Sequence, residues 1–134
     1  MEVNKREAEF GNLVKAFRKR HMGKGPREVN VTFCKNWAIC EMDGNLSPVE
    51  KFIATSDDGK QLLREARTQM VKDMYRNNHP VEMERLVGAK FVELFVDIDI
   101  DKDFGMSIFV FDRDIANAAT LAQQDAGTDR CSEE

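Results

Sequence analysis

FVELFVDIDIDKDFGMSIFVFD, residues 91–112, reads as two strands around a turn. Val92, Leu94, Val96, Ile98 and Ile100 alternate along the first arm, the period of two that a pleated strand imposes. Asp101 to Gly105 supplies the turn, and residues 106–112 return. The middle of this hairpin is apolar on both sides, with Phe91, Phe95, Phe109 and Phe111 predicted on the face away from Val96 and Ile98. A sheet built on it has more apolar surface than one layer of helices can cover.

Working outward, residues 28–43 read as another hairpin. Val29, Val31 and Phe33 alternate on one arm and Ala38, Cys40 and Met42 on the other, with Lys35-Asn36 as a two-residue turn in which Asn tolerates positive φ. In that register Phe33 faces Ala38 and Val31 faces Cys40. Before it, Val3, Phe10, Leu13, Val14 and Phe17 recur at helical spacing and predict a helix over about residues 3–21, stopped by Gly23 and Pro26. Between the hairpins, Ser47-Pro48-Val49-Glu50 is a capping box that opens a short helix to Thr55. Ser56 opens a long helix to about Asn77 with Leu62/Leu63, Ala66, Met70 and Met74 as its stripe. Val81, Met83, Leu86 and Val87 add further turns, closed by Gly88.

The order α-β-β-α-α-β-β contains a loose duplication: helix, glycine stop and hairpin, twice. It predicts an α+β domain over residues 1–112, a four-stranded antiparallel sheet with helices on one face. The doubly apolar hairpin predicts a homodimer that buries the other face through Phe91, Phe95, Phe109 and Phe111. Residues 113–134 read as a weakly helical to disordered tail.

The 134 residues are enough for one domain with its own core, 42% hydrophobic and 33% charged. The net charge of −4 argues against a surface that grips nucleic acid throughout. That charge is uneven: residues 1–36 hold nine Lys/Arg and four acids, the remainder eleven and twenty. The basic end gathers Lys15, Arg18, Lys19, Arg20, Lys24 and Arg27. Arg20, Lys24, Gly25 and Arg27 are the candidate binding residues for a small anionic ligand, although Gly23-Lys24-Gly25-Pro26 lacks Walker spacing and follows a helix instead of opening one. RNA binding by the first helix is a weaker alternative, since no exposed aromatics interleave the basic residues.

Asp97, Asp99 and Asp101 line one side of a strand and are the only metal candidates. The EF-hand template fails, because Phe104 and Val110 stand where it needs Gly and Glu. A charged strand edge is the simpler reading, and no metal or other cofactor is expected. His21 and His79 stand at helix ends without catalytic partners at recognisable spacing. Cys34, Cys40 and Cys131 are an odd number and suggest no disulfide framework. No catalytic constellation emerges, so a non-enzymatic protein is expected. With no secretory leader or long apolar run, a cytoplasmic location is expected.

Several of these landmarks together resemble the bacterial MpsC-type domain. They are Gly23-Lys24-Gly25-Pro26 before a hairpin, Gly44-Asn45-Leu46-Ser47-Pro48-Val49-Glu50-Lys51 after it, Gly59-Lys60 opening a helix with Arg67, Gly88 before a strand with Asp97, and a strand ending near Phe111. The resemblance spans about residues 8–112. Ser47 stands where Thr is commoner and Lys60 where Arg is; both swaps keep the local chemistry. The resemblance implies a link to a sodium-translocating, membrane-potential-generating system. It carries over no catalytic residues. A cytosolic accessory or regulatory partner of a membrane cation or bicarbonate transporter is the expectation, with an anionic-metabolite or nucleotide sensor as the alternative.

Overall fold

A computed structural model describes residues 2–116. Eight elements follow one another: α1 (Glu2–Met22), β1 (Glu28–Cys34), β2 (Trp37–Asp43), α2 (Pro48–Ile53), α3 (Asp57–Asn77), α4 (Val81–Val87), β3 (Phe91–Asp99) and β4 (Phe104–Phe111). The four strands form one antiparallel sheet in the order β1-β2-β4-β3. The protein is therefore the α+β domain that the hydrophobic periodicity predicts.

Local chemistry explains the element ends. Gly23 (φ 85°) stops α1 and Gly88 (φ 71°) stops α4, each in the left-handed region that an L side chain resists. Ser47 Oγ accepts from Glu50 N–H while Glu50 Oε1 accepts from Ser47 N–H, a complete capping box. In the first turn the positive φ falls on Lys35 (59°) rather than on Asn36. Asn36 instead ties the turn to the end of β4. Its Nδ2 donates to the Phe111 carbonyl, and its own carbonyl accepts from Phe111 N–H.

The first hairpin has the predicted register, with Phe33 opposite Ala38 and Val31 opposite Cys40. The second departs from prediction. A bulge between Phe91 and Glu93 lets Phe91 pair with Phe111 while Leu94 pairs with Phe109. Phe109 and Phe111 are thus fully buried beneath the helices, and Phe91 packs against the same core. Phe95 alone of the four predicted interface residues lies on the outer face, 54% exposed. The core centres on Phe10, whose ring meets Phe33, Phe109 and Phe111 edge-on, and on Tyr75, stacked on Phe17 at 4.2 Å. Ile115 and Ala116 also pack in it, so the core reaches past residue 112; the rest of the predicted tail lies outside the described residues.

The stripe of α3 is rotated from the predicted one. Leu63, Arg67, Val71, Met74 and Tyr75 are buried, whereas Leu62, Ala66 and Met70 face out. Arg67 is buried because it has a partner: its Nη1 donates to Glu50 Oε2 at 2.7 Å. Glu50 therefore caps α2 with one oxygen and holds α3 with the other.

Two cysteines belong to the first hairpin. Cys34 is disulfide-bonded, which the odd cysteine number does not suggest, and Cys40 is a free thiol, so the two are not joined to each other. Burial pushes the Cys40 thiol up to about 12, with the nearby Arg18 opposing the rise. Tyr75 is raised in the same direction, again by burial first.

Two outcomes follow. Arg67→Met should cost about 3 kcal/mol in urea unfolding, by leaving Glu50 without its partner, and Glu50→Gln in the same chain should restore part of the loss. A change under about 0.5 kcal/mol would show the pair to be dispensable. A raised folded pKa stabilises below the unfolded value and loses that contribution as pH climbs to the folded one. Stability should accordingly fall from pH 9 towards pH 12, and Cys40→Ala should flatten part of that slope.

Candidate functional site

α1 and α3 lie side by side on the sheet, and each turns one arginine inward. Arg18 follows Phe10 and Val14 at four-residue spacing; Arg67 stands four residues from Leu63 and from Val71. Both occupy core-facing positions, with 3% and 7% of their surface exposed. Between α3 and the sheet a narrow crevice runs inward, lined by Arg18, Arg67, Thr68, Asn45, Asp97 and Gly105 among others. Its free volume is about 10 Å³, room for one water-sized group.

The two arginines differ in charge balance. Arg67 is paired with Glu50. Arg18 Nη2 donates to Ser107 Oγ at 3.1 Å, and its Nε has no hydrogen-bond partner among the described residues. No described carboxylate forms an ion pair with it. The Tyr75 hydroxyl beside it is also without a well-formed hydrogen bond among the described residues. Composition groups Arg18 with the surface basic residues, yet it is among the most buried side chains of α1. The sequence signal for that burial is its four-residue phase with Phe10 and Val14.

The predicted ligand residues are distributed differently from expectation. Arg20 lines a shallow hollow against α4 with His79 and Met83. Arg27 packs along Gly44, and its N–H donates to the Asp43 carbonyl. Lys24 is exposed between them. Gly25 lies so close to α1 that a β-carbon there would stand 2.8 Å from the Lys15 carbonyl oxygen. The glycine is explained by that contact without any ligand.

The aspartates stand along a wide groove of about 1030 Å³ between α3 and the β3–β4 hairpin. Arg64 meets Asp97 at 3.3 Å and holds its carboxyl below the usual carboxylate range, helped by the Ile98 N–H. Lys60 meets Asp101 at 2.8 Å. Asp99 accepts from the Lys102 N–H. Each acid thus has a partner of its own, and among the described residues no three His, Cys, Asp or Glu side chains converge as a cation would need.

Among the described residues, no helix covers the outer face of the sheet. Across the strands it carries the row Thr32, Ile39, Ile108 and Phe95, beside Trp37 and Val110. Towards the other end come Glu41, Met106 and Asp97, then Glu28, Asp43, Phe104 and Asp99. The face is mainly apolar at the end near the Lys35-Asn36 turn, where Glu93 opposite Val110 is the one acid among the described strand residues, and mainly acidic at the opposite end.

The chain is 41% identical over 113 residues to the uncharacterized protein YrhF of Bacillus subtilis (strain 168), a match that covers 84% of this chain and 93% of that one. No solved structure matches. Residues 2–113 match the family described as Na+-translocating membrane potential-generating system (MpsC), and the chain belongs to that family.

Proposed function

We propose that the protein is a non-enzymatic accessory or regulatory component of a sodium-translocating, membrane-potential-generating system, acting on its cytoplasmic side as a homodimer. Family membership carries the first part of this reading. No helix among the described residues is long and apolar enough to cross a membrane, so a role beside a membrane partner fits better than one as the translocating path. A cation or bicarbonate transporter subunit is the partner class in view.

The outer sheet face supports the dimer. Trp37, Phe95 and Met106 are exposed on it, and Ile39, Ile108 and Val110 are half-buried. A two-fold axis lying across the strands, over the apolar rows, would stack apolar on apolar and carry the two acidic ends in opposite directions. That arrangement separates the like charges that a full overlap would bring together.

Affinity capture from native membranes should recover a cation- or bicarbonate-transport subunit; recovery of none would overturn the accessory role. Sedimentation at micromolar concentration should give a dimer, and a monomer alone would refute the pairing. Phe95→Lys should shift the species towards monomer and leave the melting temperature within a few degrees of the parent. Phe109→Lys, by contrast, should lose on the order of 3 kcal/mol or more by placing a charge in the closed core.

A further inference from the structure

Arg18 poses a problem of charge. A guanidinium cannot shed its proton inside a protein, and removal from water is costly unless an opposite charge or a full set of hydrogen bonds replaces the lost hydration. Only 3% of Arg18 is exposed, yet the described groups it meets, the Ser107 and Tyr75 hydroxyls, are neutral. The described ionisable groups around it do not compensate its charge. Cys40 and Tyr75, on the sheet and on α3, are held in their neutral forms by burial. Glu50 is engaged by Arg67. Asp97, at the mouth of the crevice, is engaged by Arg64 and by Ile98 N–H.

The crevice supplies both the room and the polarity for a counter-ion. It is lined by Arg18 and Arg67 among others, and its volume suits one water-sized group. Gly105 belongs to the same wall, where it leaves a gap beside Asn45: a β-carbon at that position would come within 3.5 Å of Asn45 Nδ2. We propose that this crevice is a binding site for one small monovalent anion of halide size, held by Arg18 with the Arg67 guanidinium beside it. The ion would supply the negative charge that the fold itself withholds from Arg18. Larger phosphorylated metabolites do not fit the volume, so this site is separate from the exposed basic loop at Lys24 and Arg27. It also makes no use of the outer sheet face.

The test uses the full chain in sodium gluconate, chloride and bromide at one constant ionic strength. Halide should raise the melting temperature saturably, by roughly 5 °C at ten times its dissociation constant, where gluconate does not. Arg18→Met keeps the bulk and removes the charge, and it should abolish the halide dependence. Crystals grown or soaked with bromide should show its anomalous signal beside Arg18 in the wild-type protein, which keeps the test decisive if the variant does not fold. A wild-type melting curve indifferent to the anion, or a crevice holding only water in the bromide crystal, would overturn the proposal.

Discussion

One carboxylate adds a clasp at the end of the β2–β4 ladder that joins the two halves of the sheet. Asp103, in the left-handed region at φ 50°, accepts from Asn45 N–H at 2.8 Å and Leu46 N–H at 3.1 Å, while its carbonyl accepts from Gly44 N–H and Asn45 Nδ2. Asn45 is itself buried and ties back to the Met42 carbonyl. The exit of the first hairpin is thereby held against the turn of the second. β2 and β4, each a second arm of its hairpin, become the two central strands. The same loop runs directly into Ser47, so the clasp also sets where α2 begins, where Glu50 stands and how α3 meets it.

Polarity inside the helix–sheet interface is arranged by the same elements. A core of aromatic edges and aliphatic side chains would be sufficient for cohesion. Instead, α1 and α3 each place an arginine where their spacing calls for an apolar residue. Arg67 is reconciled with burial by Glu50, a local solution that depends on the capping box. Among the described residues, Arg18 is met by the neutral hydroxyls of Ser107 and Tyr75. Buried charge of this kind contributes little to cohesion and much to selectivity, because few arrangements satisfy it.

Legibility in the sequence is governed by distance along the chain. The capping box at Ser47, the glycine stops at Gly23 and Gly88, and the register of the first hairpin depend on residues a few positions apart, and all are visible there. The family is legible through the order of such landmarks. The face of Phe91 is not, since the bulge at Val92 and Glu93 changes the phase of alternation and no local rule announces it. Leu62 and Leu63 give α3 two plausible stripes, and the choice between them rests on distant partners: the core that receives Val71 and Tyr75, and Glu50 in α2 for Arg67. Arg18 and Arg67 sit 49 positions apart, in the apolar phase of two helices, and their shared crevice exists only once both helices lie on the sheet. Composition groups arginine with the solvent, which hides them.

The strand order β1-β2-β4-β3 gives the repeated helix–hairpin pattern a spatial meaning. Exchanging the two hairpins about a line through the sheet, between β2 and β4, maps each strand onto its counterpart. The strand order has this twofold equivalence, yet the surface does not. One end of the outer face carries Trp37, Ile39 and Val110, and the equivalent end carries Asp43, Asp97 and Asp99. Two interchangeable ends have become distinguishable, so the sheet has acquired polarity in the sense of a vector. Whatever meets it can tell head from tail, although the strand order beneath is indifferent to the reversal.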